Sequence, residues 1–263
     1  MHELRLLRPE RSRCRTTFSV PPSPSVRSPE RVGGRFGDGV ASVFVLIPGA
    51  GGAAWYWHRV VPELQARGVE AVAVDLPGAD PSAGLAEYTD IVVAAIGNRT
   101  SVLVAQSLGG FTAPMVCARA AVAALVLVNA MIPLPGETPG QWWNSTAAPQ
   151  ARAEAAQAAG YSVEFDPQTY FLHDVPAEIA AAGAAHQRPE ADIVFGQPCR
   201  IERWPQVPTH VLAGAGDRFF PLSFQRRVAR ERLGSDAVEI PGGHLVALSR
   251  PIDLVDQLIK YVK

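Results

Sequence analysis

Six short apolar runs, most of them followed by a segment of helical period, constrain this chain more than any other feature. The first, VASVFVLIPG at 40–49, is continuous, rich in β-branched residues and closed by Pro-Gly. Such a run reads as a strand buried on both faces. VEAVAVDLPG (69–78), TSVLVAQS (100–107), AALVLVNA (123–130), PTHVLAGAGD (208–217) and DAVEIPGGH (236–244) repeat the pattern. Between them lie helical segments at 53–68, 84–98, 108–120 and 223–234, with a closing helix at 251–262; Pro114 should kink the third. Strands that alternate with helices imply right-handed crossovers. The expected fold is therefore α/β, a mostly parallel six-stranded sheet with helices on both faces. The rhythm breaks at 131–207, a stretch rich in Ala, Pro and aromatics, after the fourth strand. An insertion at a strand's carboxyl end is expected to form a helical lid over a site.

Composition narrows the class. Of the 263 residues, 48% are hydrophobic and 19% charged, a balance that excludes global disorder. A formal net charge of −1 gives no overall field to attract nucleic acid or an anionic membrane. No apolar stretch approaches the roughly 18–20 residues that a bilayer span needs. Cys14, Cys117 and Cys199 are odd in number and scattered, so neither a disulfide framework nor a zinc site is expected, and a reducing cytoplasm fits best. Residues 1–39 differ from the rest, with eight arginines and five prolines. An organelle transit peptide or a nucleic-acid arm would use such residues, but arginine without amphipathic spacing reads as a disordered, solvated extension. The domain expected to fold is 40–263.

Two motifs compete to name the chemistry. Gly49-Ala50-Gly51-Gly52-Ala53-Ala54 follows a strand, opens a helix and fits G-x-G-x-x-A, with Asp75 near where a ribose-binding acid would stand. That reading makes the chain an NAD(P)-binding oxidoreductase. Pro48 and the bulky Trp55-Tyr56-Trp57 crowd the turn where a pyrophosphate must approach. The rival motif is Ala105-Gln106-Ser107-Leu108-Gly109-Gly110, a serine between an apolar strand and a helix with small residues two places away on each side. This is the pattern of a nucleophile elbow, with Ala105 in place of the usual glycine. A serine at a helix start is also an ordinary N-cap.

Serine is a poor nucleophile without a base and an acid to orient that base. Asp217 closes the fifth strand and His244 follows the sixth. Each could be an unremarkable loop residue, but Ser, Asp and His at successive carboxyl strand ends, in that order, match the elbow hydrolases. His58, His173, His186 and His210 form no metal spacing. Asp75 and Asp80 read as turn caps, and Asp174 with Glu178 as the cap of a lid helix. Trp142, Trp143, Phe165, Tyr170 and Phe171 could line a pocket or pack within the lid.

The segments VLIPGAGGAAWYWHRVVPEL, VDLPGAD, AQSLGGF, AGAGDRFFP and GGHLVALSRP together resemble the α/β-hydrolase superfamily. The resemblance covers about 40–263 and is strongest to the branch that holds methyl-salicylate-type esterases, hydroxynitrile lyases and related bacterial hydrolases. It implies Ser107 as nucleophile, His244 as base and Asp217 as acid, with the backbone amides of Ala50 and Leu108 as the oxyanion hole. It also implies no cofactor and a small-molecule ester as partner. The family usually has His-Gly where this chain has Pro48-Gly49, which removes a side chain that braces the loop. The lyases carry Thr at the place of Gly49 and Lys at the place of Leu245, so the resemblance favours a carboxylesterase over a C–C lyase. Gly49, Trp142, Trp143 and Leu245 are the expected substrate-binding residues.

Overall fold

The structure is a computed structural model that describes residues 43–261. The Arg/Pro-rich extension expected at 1–39 lies outside the described residues. Six strands form one sheet: β1 (Val43–Ile47), β2 (Ala71–Ala73), β3 (Ser101–Gln106), β4 (Val122–Val128), β5 (Thr209–Gly214) and β6 (Ala237–Ile240). Their order is β2-β1-β3-β4-β5-β6, and every neighbouring pair is parallel.

The helices of the sheet layers are α1 (Val60–Ala66), α2 (Leu85–Ile96) and α3 (Gly109–Cys117). The segment between β4 and β5 holds α4 (Pro139–Ser145), α5 (Ala148–Ala159), α6 (Pro167–Tyr170), α7 (Ala177–Gly183) and α8 (Asp192–Gly196). After β5 come α9 (Leu222–Leu233), α10 (Val246–Ser249) and α11 (Pro251–Leu258).

Period-two alternation divides the strand side chains between two cores. Val43, Val45, Ile47, Leu103, Ala105, Leu125, Leu127, Val211 and Ala213 pack against α2, α3 and α9. Phe44, Leu46, Val102, Val104, Val126, Val128 and Leu212 pack against α1, α10 and α11. Both faces of the central strands are thus covered, which is why their sequences are continuously apolar.

Three expectations need adjustment. The helix read over 53–68 is a short 3-10 turn, Ala54–Trp57, followed by α1. Pro62 has no N–H to return to His58, so it belongs in the first turn of a helix and α1 starts only at Val60. The second strand shrinks to three residues because it is an edge and pairs only with β1. The third helix runs through Pro114 but ends at Cys117. The closing helix and α9 fall where periodicity puts them, with Gly234 left-handed (φ 63°) just past the end of α9.

The strand order reverses at β1, with β2 on one side of it and β3 on the other. In an open parallel sheet, ligands sit outside the carboxyl ends of strands at such a switch point. The loop after β1 and the turn after β3, the two competing motifs of the sequence, flank that crevice.

Candidate active site

Ser107 leaves β3 with φ 50°, a left-handed conformation that raises a non-glycine residue by about 1–2 kcal/mol. The surrounding backbone holds it there. The Ser107 carbonyl accepts the amides of Gly110 and Met131, both at 3.0 Å. A Cβ on Gly109 would stand 2.7 Å from the Pro48 carbonyl oxygen, and one on Gly110 would stand 2.0 Å from that of Met131. The turn is this tight because the start of α3 packs directly on the ends of β1 and β4. Ala105, two residues before the serine, is fully buried, and its methyl is accommodated.

The three residues singled out by order converge. His244 Nε2 lies 3.2 Å from Ser107 Oγ, and His244 Nδ1 lies 2.9 Å from Asp217 Oδ2. All three are buried. Asp217 Oδ1 accepts the amides of Phe219 and Phe220 at 2.9 Å each, and its Oδ2 also accepts Gln225 Nε2 at 3.2 Å. These bonds fix the Asp217 side chain and aim Oδ2 at the imidazole. With Nδ1–H given to Asp217, the Nε2 lone pair faces the serine hydroxyl. Phe171 stacks on the His244 ring (centroids 5.1 Å, planes 24° apart), and Phe219 and Phe220 meet its edges.

Asn129 is a site residue that the sequence reading passes over. It sits at the end of β4 with φ 46° and no exposure. Its Nδ2 donates to the carbonyls of Gly243 (2.9 Å) and His244 (3.1 Å), and its Oδ1 accepts the Gly214 amide at 2.7 Å. It thereby ties the loop after β6 to the end of β5. The signal was a polar residue closing an all-apolar strand.

The loop 49–54 bends through Gly51 (φ 82°) and Gly52 (φ 69°). Gly51 gives its amide to Glu190 Oε2 at 2.6 Å, and Ala54 gives its own to Asp75 Oδ1 at 2.9 Å. Asp75 also pairs with both terminal nitrogens of Arg188, at 2.8 and 3.0 Å. Asp75 is therefore a loop brace rather than a ribose ligand. Glu190 and Asp75 brace this loop. The amides of Ala50 and Leu108 donate to no protein acceptor among the described residues.

A cavity of about 350 Å³ opens above Ser107 and His244. The loop after β1 contributes Ala50, Gly51 and Ala53, the 3-10 turn contributes Trp55 and Tyr56, and Leu245 and Leu248 come from beyond His244. The segment between β4 and β5 supplies Phe165, Phe171, Leu172, Ile179 and Ala180. Trp55 is sandwiched by His58 and His186, with centroids 4.2 and 5.0 Å away. Burial raises the Tyr56 hydroxyl well above its ordinary range, so it stays protonated.

Leu245 lines this cavity. Gly49 does not, but it stands beside the nucleophile: a Cβ there would lie 2.9 Å from that of Ser107. Trp142 and Trp143 are corrections. Trp142 has no exposure, donates its Nε1–H to the Ile132 carbonyl at 3.1 Å and packs on Phe220 and Phe224. Trp143 packs on Trp142 and Phe219, and neither indole reaches the cavity wall. The reason is placement: α4 lies over α9, on the far side of Phe219 and Phe220 from the serine. Phe165 and Phe171 reach the cavity instead. Tyr170 is buried beside them and donates its hydroxyl to the Ser162 carbonyl at 2.6 Å. Asp174 does not cap α7, whose N-cap is Pro176; it accepts the Gly243 amide. Asp80 does cap a turn, accepting the Ser82 amide at 2.8 Å.

Cys117 and Cys199 are free thiols, and burial pushes both up to about 12, so neither competes as a nucleophile. Among the described residues no group of three or more His, Cys, Asp or Glu side chains is arranged to hold a metal ion. No helix among them is long and apolar enough to cross a membrane.

Residues 44–258 match the model of the Alpha/beta hydrolase family, and the chain belongs to that family. It is 37% identical over 110 residues to a probable esterase, PIR7A, of Oryza sativa subsp. indica, an alignment that covers 37% of this chain and only 42% of that protein. It is 26% identical over 243 residues to a pyrethroid hydrolase of Sphingobium wenxiniae, covering 82% of this chain and 86% of that one. The crystal structure of a pyrethroid hydrolase from Sphingobium faniae JZ-2 superimposes with a TM-score of 0.67 at 23% identity, over 84% of this chain and 96% of that one. Polyneuridine aldehyde esterase gives 0.67 at 20% identity, over 83% and 98%. At such identities the superpositions speak for the shared fold.

Proposed function

We propose that the protein is a serine esterase that cleaves a small carboxylic ester through an acyl-enzyme. One observation carries this: an elbow serine with φ 50° lies 3.2 Å from an imidazole whose other nitrogen is 2.9 Å from a buried carboxylate. His244 takes the Ser107 proton as Oγ attacks the ester carbonyl. The resulting imidazolium is stabilised by Asp217. The unengaged amides of Ala50 and Leu108 receive the oxyanion, where each donor is worth on the order of 3–4 kcal/mol in a well-studied protease. His244 then protonates the departing alcohol, and water, deprotonated by the same ring, releases the acid.

The helices between β4 and β5 act as the lid, and the apolar walls they complete take the ester's hydrocarbon part. The esterase and hydrolase relatives support this class of substrate. A dinucleotide reading finds the opposite of what it needs, because the Glu190 carboxylate occupies the Gly51 amide that a pyrophosphate would require. A lyase reading lacks the hydroxyl and ammonium groups that Gly49 and Leu245 do not supply. A reducing cytoplasm suits the free Cys117 and Cys199 thiols.

The test is hydrolysis of a p-nitrophenyl ester series by wild type and Ser107→Ala, with fluorophosphonate labelling. Turnover by wild type, its abolition in the folded variant and an adduct on Ser107 are expected. Near-wild-type turnover by Ser107→Ala refutes the mechanism.

A further inference from the structure

We propose that His173 and Asp174 are positioning residues that hold the two loops bearing Asp217 and His244 in register with Ser107; this rests on the esterase reading above. The pair follows α6 and reaches the carboxyl ends of β5 and β6. Asp174 Oδ2 accepts the Gly243 amide at 2.6 Å, and His173 Nε2 donates to the Gly216 carbonyl at 2.9 Å. Gly243 and Gly216 immediately precede His244 and Asp217. Two consecutive side chains thus grip one backbone position beside each member of the acid–base pair.

The loops are built for this grip. A Cβ on Gly243 would stand 2.7 Å from Asp174 Oδ1 and 2.7 Å from His173 Cε1, so only glycine admits the pair. The Gly216 amide donates to the Gly242 carbonyl at 3.0 Å, which joins the two loops directly. Asn129 holds the Gly243 carbonyl from the other side at 2.9 Å.

The pair keeps its contacts at a visible cost. His173 Nδ1 and Asp174 Oδ1 face each other at 3.4 Å, are buried, and have no hydrogen-bond partner. With Nε2–H given to Gly216, the neutral ring turns its Nδ1 lone pair toward a carboxylate oxygen. A turn that only linked α6 to α7 would gain nothing from burying those two atoms, whose desolvation costs about 1–3 kcal/mol each. Burial, helped by Arg218, holds His173 below the usual histidine range against the pull of Asp174 and Asp217. The same four-residue segment places Phe171 on the His244 ring and Leu172 in the cavity wall. The lid therefore touches substrate space and sets the catalytic base through adjoining residues.

The experiment compares wild type, Asp174→Ala, His173→Ala and Asp174→Asn as full chains. It measures kcat and KM on p-nitrophenyl acetate, thermal unfolding, and the proton resonance of His244 Nδ1–H. The Ala variants should lose about 10- to 100-fold in kcat, the scale of a misplaced catalytic group, with KM within about twofold. Their Nδ1–H signal should shift or exchange faster. Asp174→Asn should recover most of the loss, because its Oδ1 still accepts the Gly243 amide and its Nδ2 donates to His173 Nδ1. Ala variants with unchanged kcat and an unchanged His244 signal overturn the proposal, and so does an Asn variant as poor as Ala. If Asp174→Ala does not fold, His173→Ala, which removes a single bond, carries the comparison. If wild type hydrolyses no ester, the esterase reading fails, while the His244 resonance still decides the clamp.

Discussion

Glu190 accepts the Gly51 amide at 2.6 Å and, through its other oxygen, the Tyr88 hydroxyl at 2.6 Å, so a residue of the segment between β4 and β5 fastens the loop that carries the Ala50 amide to helix α2. The bond braces the loop that follows Pro48-Gly49. Glu190→Ala should lower kcat on a short p-nitrophenyl ester by about tenfold or more, since a full oxyanion donor is worth about 100- to 1,000-fold. Burial raises the Glu190 carboxyl above its ordinary value. The folded state therefore holds its proton more tightly than the unfolded chain, and the site loses stability as pH rises through that window. Glu190→Gln, whose Oε1 can accept the Gly51 amide while its Nε2–H donates to the Tyr88 hydroxyl oxygen, should unfold at a temperature equal to or above wild type at pH 7. A lower value in calorimetry refutes this account of the bond.

Trp142→Ala should destabilise the protein by about 3–5 kcal/mol, measured by denaturant unfolding, with unchanged preference among acetate, butyrate and octanoate esters. The indole is sealed between α4 and α9 and contacts no cavity wall. A changed preference at full stability would restore Trp142 to the substrate pocket.

Ile179→Trp should fill the cavity from α7. We expect kcat/KM for the octanoate ester to fall by about tenfold or more, while that for acetate stays within about threefold, the discrimination expected of a few methylenes in an apolar pocket. Equal losses on both esters would show that Ile179 does not set the acyl length.

Glu137 and Arg232 form a buried ion pair between the insertion and α9, with Arg232 Nη2 3.0 Å from Glu137 Oε1. Burial raises the Glu137 carboxyl, but Arg232, Ser145 and the Leu134 amide together outweigh it and leave it below its ordinary 4.5. Its contribution is thus complete above the unfolded value and is lost as pH falls through the folded one. Glu137→Ala should cost about 3–5 kcal/mol at pH 7, because Arg232 stays buried without its partner. Thermal unfolding from pH 7 to pH 3 should show a shallower acid limb in the variant, and parallel curves would contradict the assignment.

The sheet was legible in the sequence because strands buried on both faces must be apolar throughout, and the runs are short, three of them reaching Pro-Gly. Ser107, Asp217 and His244 were legible because each closes a strand at the same end of a parallel sheet, so order alone brings them near one another. Tertiary structure alone decided which residues of the segment between β4 and β5 face them. Trp142 and Phe171 are both aromatics in one Ala-rich insertion, yet one is core and the other stacks on His244. Nothing local separates them, because the choice depends on how α4 and α6 sit over the sheet. The same holds for Glu190, Asn129, His173 and Asp174, whose partners in these contacts lie 43 or more residues away and are joined to them only through the fold. Periodicity reports which face of an element is buried; it carries no information about which distant backbone amide or carbonyl a polar side chain will meet.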